Sequence, residues 1–487
     1  MAKKKKKKVS SSGKQLYKGT LEVTRSGLGY VIVDGLEKDV LVKRENIRNA
    51  LNGDEVRVEV STRGKKFGAR PEGVIKEVIS RKQSEFSGRV EVHKHFAFLV
   101  PDSDKMPVDI FIPLHLLNGA KDGDKSIAKI VEWSGNTKNP VGEIISILTN
   151  ETANEIAMQG ILVENGFPLT FSDEALEIAA RFPEGVSDED VKHRRDMRGE
   201  LTFTIDPVDA KDFDDAISIK TLKGGYYEVG VHIADVSHYV EAGSELDKEA
   251  YRRATSVYLP DRVLPMLPER VSNELCSLRP DEDKYTFSAV FKINKKGEVK
   301  DTWLGRTAIR SKRRFTYEDV QEIIEGAEGD HSKELLLLNE MAQELRRQRF
   351  TKGAINFSSQ EVRFKLDEKG KPIGIVVKES KEAHQLIEEL MLLANRKVAE
   401  YVSSVTFKDK PVPFPYRVHD EPDEDKLKVF TTFAAQYGHK FSTNTPQAIA
   451  QSFNEMLQLA HGKPEQHVLE TLGIRTMAKA VYTTDNI

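Results

Sequence analysis

Apolar and polar residues alternate along much of the first third of the chain, and this pattern predicts short β-strands. Clear cases are residues 30–33, 56–60 and 96–100. Successive side chains of a strand point to opposite faces, so such a stretch buries one face and exposes the other. Glycine and aspartate turns separate the stretches, which is typical of small closed barrels. The first third is therefore predicted to form β-barrels.

The predicted strands fall into two copies of one module. Gly19 in the first copy corresponds to Gly88 in the second, and the segment 39–42 corresponds to 109–112. The dipeptides Gly53-Asp54 and Gly123-Asp124 and the segments beginning at Pro71 and Pro140 follow in the same order. Because the gaps between these landmarks agree to within one residue, the sequence predicts a tandem repeat.

The pattern changes after residue 150, where helical spacing becomes common. Residues 172–180 start with acidic residues and continue with helical periodicity, which predicts a helix in a connector. Further helices are predicted from Ser332, as N-cap, to about residue 348, over 381–402, and after Thr445-Pro446. Strands are predicted at 201–205, 216–220, 227–233 and 286–293. We expect a basic arm at 1–16, barrels at 17–82 and 83–149, a helical connector at 150–195 and a mixed α+β domain at 196–487.

Four carboxylates crowd the loop between the predicted strands 201–205 and 216–220. They are Asp206, Asp212, Asp214 and Asp215. Such carboxylates would repel one another and raise one another's pKa values unless a cation lay among them. Hard oxygen ligands suit Mg²⁺, with Mn²⁺ as the alternative. The sequence therefore predicts a metal site able to assist phosphodiester hydrolysis.

Two simpler interpretations of the acidic cluster were weighed. An acidic run is most often a solvated loop, but apolar residues interleave this one and strands flank it. An EF-hand is excluded because, counting from Asp212, Ile217 stands where glycine is required and Lys223 where glutamate is required. Asp209 belongs to the same run and is expected in a supporting position.

Charge is distributed unevenly along the 487 residues. The net charge is −3, yet residues 1–82 carry 21 basic and 10 acidic side chains, so this part is +11 and the remainder −14. An unbroken lysine run at 3–8 predicts a disordered arm that attracts polyanions, or otherwise a solubilising tail. Aromatic residues on the predicted barrels could stack on nucleic-acid bases. Tyr30, Phe96 and Phe98 are the candidates, with core packing as an equally weighted alternative.

Composition also limits the compartment and the redox chemistry. No apolar run approaches the length of a membrane span and no secretory segment is apparent, so a soluble cytoplasmic protein is expected. Cys276 is the only cysteine, which excludes an intramolecular disulfide and a cysteine-based zinc site. Its apolar surroundings predict an inert buried thiol.

Several motifs, taken in order, resemble the catalytic domain of the ribonuclease II and ribonuclease R family. They are the acidic run at 206–216, the histidine-containing segment 231–240, the segments 258–260 and 264–268, and the segment 275–278. Residues 27–30 and 93–98 resemble a cold-shock domain. The resemblance implies a multidomain α+β chain with two N-terminal OB-fold, cold-shock-like barrels and a mixed α+β RNB catalytic domain.

The resemblance also implies an activity and a set of site residues. The expected activity is processive 3′-to-5′ exoribonuclease hydrolysis that releases nucleoside 5′-monophosphates, with the four aspartates sharing one or two Mg²⁺ ions and Asp214 least replaceable. Tyr258 and Phe357 match an aromatic clamp on the RNA bases, and Glu388 matches an RNA contact. Ordinary packing, and for Glu388 pairing with Arg396 or a nearby lysine, are the alternatives.

The substrate is expected to be single-stranded RNA or RNA with a 3′ overhang. We expect a monomer with no membrane association, and ribosomal or RNA-decay partners stay open. The chain ends before the arginine-containing motif and the C-terminal S1 barrel of the family, so we expect an incomplete catalytic domain of weak activity. The competing hypotheses are an RNA-binding protein with a catalytically silent RNB-like domain and a DNA-directed metal nuclease.

A second candidate metal site contains two histidines and an aspartate. His232 and His238 are six residues apart and would share one face of a continuous strand, with Asp235 between them. A transition metal could in principle bind there. Packing or RNA contact is the favoured interpretation.

Overall fold

Two closed five-stranded barrels contain the alternating segments of the first third. The computed structural model describes residues 14–24, 26–36, 38–61, 70–103, 106–134, 137–149, 152–357, 361–367, 371–378 and 380–485. The first barrel contains β1 (Lys14–Val23), β2 (Gly29–Ile32), β3 (Val40–Val42), helix α1 (Arg44–Ile47), β4 (Glu55–Ser61) and β5 (Glu72–Ser80). The second contains β6 (Glu85–Val92), β7 (Ala97–Pro101), β8 (Ile110–Ile112), β9 (Lys125–Glu132) and β10 (Val141–Ile147).

The two barrels have the same strand order, so the predicted repeat is confirmed. Around the first barrel the order is β1-β2-β3-β5-β4, and around the second it is β6-β7-β8-β10-β9. The equivalent glycines explain part of this likeness. A Cβ atom at Gly19 would lie 2.2 Å from the carbonyl oxygen of Ile32, and one at Gly88 would lie 2.2 Å from that of Val100. Both positions need glycine because neighbouring strands approach too closely for any side chain.

The first strand begins earlier than the sequence predicted. Lys14, Gln15 and Leu16 pair with residues of β4, so they belong to the barrel and not to the predicted basic arm. Pairing with β4 extends the strand over these three residues, although apolar and polar residue types do not alternate clearly there in the sequence. The rest of the predicted arm, residues 1–13, lies outside the described residues.

Three helices follow the barrels. The helices are α2 (Ala153–Glu164), α3 (Asp173–Arg181) and α4 (Asp188–Val191), which lie in the segment predicted as a connector. Thr152 caps α2 by accepting a hydrogen bond from the amide of Glu155, at 3.1 Å. Val163 of α2 packs against Ile127 and Leu148 of the second barrel.

A seven-stranded sheet is the centre of the α+β part. Chain order is β11 (Arg195–Asp196), β12 (Thr202–Asp206), β13 (Asp215–Thr221), β14 (Tyr226–Ala234), α5 (Glu245–Arg253), the hairpin β15 (Val257–Tyr258) and β16 (Val263–Leu264), β17 (Asp283–Asn294), β18 (Val299–Arg310) and β19 (Arg313–Thr316). The sheet order is β11-β18-β17-β14-β13-β12-β19, without the hairpin. A π-helical turn, Arg270–Leu275, precedes β17.

Helices cover one face of this sheet and form a second small core near the end. The remaining elements are α6 (Tyr317–Ile324), α7 (Ser332–Thr351), β20 (Glu361–Leu366), β21 (Pro372–Lys378), α8 (Glu382–Ser404), β22 (Thr406–Phe407), β23 (Lys410–Pro411), β24 (Tyr416–Val418), α9 (Glu424–Ala435), α10 (Pro446–Ala460), α11 (Gln466–Ile474) and β25 (Val481–Thr483). Helices α6, α7 and α8 pack on the sheet through residues such as Val320, Leu338 and Leu390. Helices α9, α10 and α11 enclose Phe430, Phe453 and Leu469.

The predicted N-cap of α10 is confirmed, whereas the predicted N-cap of α7 is wrong. Thr445 caps α10 through the amide of Ala448, at 3.1 Å, with Pro446 in the first turn as predicted. Ser332 is not the N-cap of α7, because His331 occupies that position in a left-handed conformation with φ 54°. The Ser332 hydroxyl instead donates to the carbonyl of Gly329, at 2.6 Å.

The chain divides into two compact units. One consists of Met1–Leu176, Lys248–Met266 and Asp367–Lys371, and the other of Glu177–Asp247, Leu267–Leu366 and Pro372–Ile487. The first unit therefore contains both barrels and the β15–β16 hairpin, and the second contains the sheet. Among the helices of the described residues, none is long and apolar enough to cross a membrane.

Candidate active site

The acidic loop joins two neighbouring strands of the sheet. Asp206 is the last residue of β12 and Asp215 the first residue of β13. Strand β12 runs antiparallel to β13 and parallel to β19, and Asp206 stands opposite Thr316 in the β19 register. The loop 207–214 is therefore held at both ends by a rigid sheet, as the sequence predicted.

A buried serine supports the second half of the loop. Ser277, with no exposed surface, accepts a hydrogen bond from the amide of Phe213 at 3.0 Å and donates to the carbonyl of Lys211 at 2.9 Å. The amide of Leu278 donates to the carbonyl of Phe213, also at 2.9 Å. The amide of Ala234 donates to the carbonyl of Asp214. These contacts fix the loop backbone from Lys211 to Asp214, on both sides of Asp212.

An arginine supports the first half. Arg314, on β19, donates from Nη2 to the carbonyls of Pro207 and Val208, at 2.6 and 3.0 Å. Its guanidinium carbon lies 5.4 Å from the centre of the Phe213 ring, within the range of a cation–π contact. One side chain thus contacts the loop near its start and near its end. The predicted site did not include Ser277 or Arg314.

The environment raises the pKa of three of the aspartates. Burial raises the pKa of Asp206 to about 6, with the charges of Asp212 and Asp214 adding to it. Burial and the charges of Asp206 and Asp214 raise the pKa of Asp215 to about 7. Asp214 is exposed as a whole residue, but protein atoms displace water from its carboxylate, and this, with the charge of Asp212, raises its pKa. The carboxylates are thus close enough to oppose one another's ionisation.

These aspartates have the chemistry of a divalent-cation site. Asp206 is only 7% exposed, and its Oδ2 atom accepts no hydrogen bond. A buried carboxylate oxygen without a donor is costly unless a cation satisfies it. Among the described residues, however, no three His, Cys, Asp or Glu side chains stand close enough together to hold a metal as they are placed. The donor set and its charge therefore fit a hard cation, although the side chains do not converge on one point.

A tyrosine that the sequence analysis missed lies beside the acidic loop. Tyr317 begins helix α6, directly after Thr316, and its ring stacks on His384 with centroids 4.2 Å apart and planes 9° apart. Burial and the charges of Asp215 and Asp206 raise the pKa of its hydroxyl to about 12. The Thr316–Asp319 capping box predicts a helix start here, but nothing local indicates that the helix starts beside the aspartates.

Asp209, the remaining aspartate of the run, is exposed and paired with an arginine. Asp209 is 71% exposed at its side chain and pairs with Arg363 of β20, at 3.4 Å. This carboxylate is therefore far more solvated than that of Asp206, which is 7% exposed.

The histidine-based metal site is not formed, and the strand argument behind it was wrong. Strand β14 ends at Ala234, so His238 lies in a 3₁₀ turn and does not share a strand face with His232. The two ring nitrogens of His232 bind the hydroxyls of Ser288 and Ser218, at 2.7 and 2.8 Å. Asp235 pairs with Arg194 at 2.8 Å. Burial lowers the pKa of His232 to about 3, so this ring is a neutral link between strands.

The three residues matched to RNA contacts have different surroundings. Tyr258, in the first unit, is 67% exposed on the β15–β16 hairpin. Phe357, in the second unit, is half-buried and packs on Phe453 with ring centroids 5.4 Å apart. Glu388 on α8 pairs with Arg349 at 3.0 Å, and with Arg346 at 3.7 Å. The partner suggested from the sequence was wrong, because Arg396 pairs with Glu400 at 3.7 Å.

The barrel aromatics lie outside the barrel cores. Phe96 and Phe98 are half-buried, whereas Ala97 and Leu99 between and beyond them are fully buried. Together with His93 and Phe111 they form a cluster of rings with neighbouring centroids 4.9 to 6.0 Å apart. On the first barrel, Tyr30 is half-buried, with the Arg70 guanidinium 5.0 Å from its centre. The core alternative for these rings is therefore disfavoured.

Cys276 is buried, as its neighbours in the sequence predicted. Burial raises the pKa of the thiol to about 12. A protonated buried thiol is a poor nucleophile, so the cysteine takes no part in the candidate chemistry.

Known families match successive parts of the chain. The ribonuclease B OB domain matches residues 19–78, the cold shock domain 98–172 and the RNB domain 194–487. Ribonuclease R of Thermotoga maritima is 36% identical over 486 residues, covering 98% of this chain and 67% of that protein. Ribonuclease R of Aquifex aeolicus is 32% identical over 486 residues, covering 99% and 67%.

A solved structure agrees with these matches. RNase R of Mycoplasma genitalium, in complex with ribose-methylated single-stranded RNA, aligns with a TM-score of 0.74 and 26% sequence identity. The alignment covers 96% of this chain and 74% of that one. The RNB match alone spans more than half of the residues. The chain therefore belongs to the ribonuclease R branch of the RNB exoribonuclease family.

Proposed function

We propose that the chain hydrolyses RNA from the 3′ end with the help of Mg²⁺ held by the acidic loop. The observation that carries this proposal is the crowding of Asp206, Asp212, Asp214 and Asp215 on one short loop, where three of the four carboxyl groups have raised pKa values. Nucleases of the RNB family generally depend on a divalent metal. A domain that only bound RNA would gain nothing from burying carboxylates against one another.

The four aspartates are the residues that would hold the metal, with Mn²⁺ as the alternative ion. Bound divalent metal supplies charge neutralisation for the scissile phosphate and a nucleophilic water at neutral pH. The chain itself holds the carboxylates in place. Ser277 and Arg314 fix the loop backbone, and Arg314 also offsets part of the charge of Asp206.

The hydroxyl of Tyr317 has a high pKa and therefore stays protonated at neutral pH. It can donate a hydrogen bond beside the aspartates without adding charge, which suits contact with a phosphate or ribose oxygen. The helix that begins at this residue directs backbone amides toward the same end of β12, an arrangement favourable to anions.

RNA contacts are proposed at two kinds of position. Tyr258, Phe357 and Glu388 would contact the nucleotides near the 3′ end, and the ring clusters at Tyr30 and at Phe96 and Phe98 would stack bases farther along. The exposure of Tyr258 supports a base platform, whereas Phe357 is half-buried and packs on Phe453. The solved complexes of Mycoplasma genitalium RNase R contain single-stranded and double-stranded RNA. This supports RNA, single-stranded or with a 3′ overhang, as the substrate class.

The finer features of the activity follow from the family. Processive hydrolysis, release of nucleoside 5′-monophosphates and action as a monomer are proposed on that ground. Chromatography of the products would identify 5′-monophosphates. Dilution of the protein during turnover, with a trap of unlabelled RNA present, would measure processivity.

Replacing Asp214 by Asn tests the proposed function. We expect Mg²⁺-dependent nucleotide release to fall by about a hundredfold or more, as when a group that stabilises transition-state charge is removed, with RNA affinity kept. Asp209→Asn is the matched control, because it removes the same charge from the same loop at the exposed carboxylate paired with Arg363. Equal activity of Asp214→Asn and the unaltered chain would contradict the role proposed for Asp214. RNA binding without nucleotide release by the unaltered chain would favour an RNA-binding protein with a catalytically silent domain.

A DNA-directed nuclease is the remaining alternative. Oligonucleotides of the same sequence with ribose or deoxyribose distinguish the two, because contacts to the 2′-hydroxyl are what separate RNA from DNA. The proposal predicts turnover of the ribose substrate alone.

A further inference from the structure

The hairpin that carries Tyr258 is tied to the connector helix by a compact set of charged contacts. Arg262, between β15 and β16, donates from Nη1 and Nη2 to the two carboxylate oxygens of Glu155, at 2.8 and 2.5 Å. Glu155 lies in the first turn of α2 and accepts a further hydrogen bond from Gln159. Fork-to-fork contacts of this kind fix orientation as well as distance.

The same arginine also orders the turn of the hairpin. Its Nε and Nη2 atoms donate to Asp261 Oδ1 and Oδ2, at 3.1 and 2.7 Å. Asn154 of α2 donates to Asp261 Oδ2 at 3.1 Å. The amide of Leu259 donates to the carbonyl of Arg262, at 2.8 Å. Two residues of the helix therefore hold two residues of the turn.

These contacts are more protected than an ordinary surface ion pair. The side chains of Asp261 and Glu155 are 12% and 18% exposed, and that of Arg262 is 38% exposed. The hydrogen bonds from Arg262 are the main reason that the pKa of Asp261 and that of Glu155 lie below their usual values. The three groups therefore act together as one charged unit at neutral pH.

The hairpin is short, so its own strand pairing contributes little to a defined position. Each of its strands has two residues, with Val257 opposite Leu264 and Tyr258 opposite Val263. Isolated two-stranded hairpins of this size are marginal in water. At its base, the amide of Met266 donates to the hydroxyl of Ser256, at 3.0 Å. Tyr258 itself is 67% exposed.

We propose that Glu155, Arg262, Asp261 and Asn154 form a brace that positions Tyr258 as a base platform, and that the connector helix α2 thereby takes part in RNA recognition. The proposal rests on the proposed function, because Tyr258 has a role to be positioned for only if RNA bases stack on it. Arg262 and Glu155 are positioning residues that act through the tyrosine. A platform held in one orientation loses less conformational freedom on binding than a mobile one.

The test measures base stacking directly and without hydrolysis. Short single-stranded RNAs carry one 2-aminopurine, placed in turn at each of the positions nearest the 3′ end, and are bound to the full chain in metal-free buffer. The position at which Tyr258→Ala relieves fluorescence quenching identifies the base on the tyrosine. We expect Arg262→Ala and Glu155→Gln to relieve quenching at that same position. Each should weaken binding by about tenfold, the size expected for loss of one stacked base.

Control variants separate positioning from a general loss of structure. Arg181→Gln breaks a comparable but exposed pair with Glu177 on α3 and should leave quenching unchanged. The double variant Tyr258→Ala with Arg262→Ala should bind no more weakly than Tyr258→Ala, because residues that act through one another are not additive. Arg262→Lys keeps the charge but not the two-pronged contact, so it should restore little of the quenching.

Three results would overturn the proposal. Unchanged quenching in Arg262→Ala and Glu155→Gln would show that the brace does not position the tyrosine. Tighter RNA binding by Glu155→Gln would show that Glu155 only withholds Arg262 from the RNA. If Tyr258→Ala changed the quenching at no labelled position, Tyr258 would not be a base platform. Mg²⁺-dependent nucleotide release by the unaltered chain, measured in parallel, reports separately on the proposed function.

Discussion

At the scale of single residues, the aspartates of the acidic loop can be predicted from the local sequence, whereas the residues that support the loop cannot. The four aspartates could be predicted because they fall within ten residues of one another. Ser277, Arg314 and Tyr317 could not, because each reaches the loop only through the fold. Arg314, for example, contacts Val208 across 106 residues of sequence.

The raised pKa values predict a pH dependence of metal uptake. Protons compete with Mg²⁺ for the carboxylate of Asp215, whose pKa is about 7. We therefore expect Mg²⁺ affinity to be about tenfold weaker at about pH 6 than at about pH 8, from this group alone. Calorimetric titration should also show proton release on binding below pH 7. Asp209→Asn should follow the unaltered chain, and a flat pH dependence would contradict the prediction.

The raised pKa of Asp215 also predicts how the stability of the metal-free chain changes with pH. The folded pKa of Asp215 lies above its ordinary value of 3.8, so the folded state binds more protons than the unfolded state between these two values. The contribution to stability is therefore fully present below the lower value and is lost as the pH rises through about 7. Compared with Asp215→Asn, the unaltered chain should lose thermal stability over this range, and Mg²⁺ should restore it.

At the scale of elements, the two barrels show how far a sequence repeat determines structure. Their strand order and their paired glycines were predictable because turn residues and alternation repeat at one spacing. The start of α7 was not, because His331 adopts a left-handed conformation that no local preference indicates. Tyr258 was identified by its motif, whereas the brace beneath its hairpin depends on Glu155, 103 positions earlier in the chain.

The equivalent glycines predict equal effects of substitution in the two barrels. Gly19→Ala and Gly88→Ala would each place a methyl group 2.2 Å from a carbonyl oxygen. We expect each to destabilise its own barrel by about 1–3 kcal/mol, as overpacking does. Hydrogen exchange of the strand amides measures the two barrels separately.

Gly160→Ala is the control for this pair. No atom lies within 4 Å of the added methyl group, and the residue is inside helix α2, so alanine should stabilise that helix by up to about 1 kcal/mol. Equal protection of the strands before and after Gly19→Ala would contradict the steric argument.

At the scale of the whole molecule, the uneven charge predicts how RNA binding responds to salt. The first 82 residues carry +11, and six of these charges are the consecutive lysines at residues 3–8. Replacing these six by glutamine should make the slope of log affinity against log salt shallower by at most about 4, since each neutralised phosphate contributes about 0.7. Replacement by arginine should keep the slope. If the slope were unchanged in the glutamine variant, the lysine run would be a tail that only aids solubility.

The supports of the acidic loop also determine when the site can exist during synthesis. The backbone of Phe213 is held by Ser277 and Leu278, and that of Pro207 by Arg314. Because these partners come later in the chain, they are synthesised well after the aspartates. A growing polypeptide that has just exposed its carboxylates has neither anchor. The nascent chain therefore does not have both supports of this loop until more than a hundred further residues have followed Pro207.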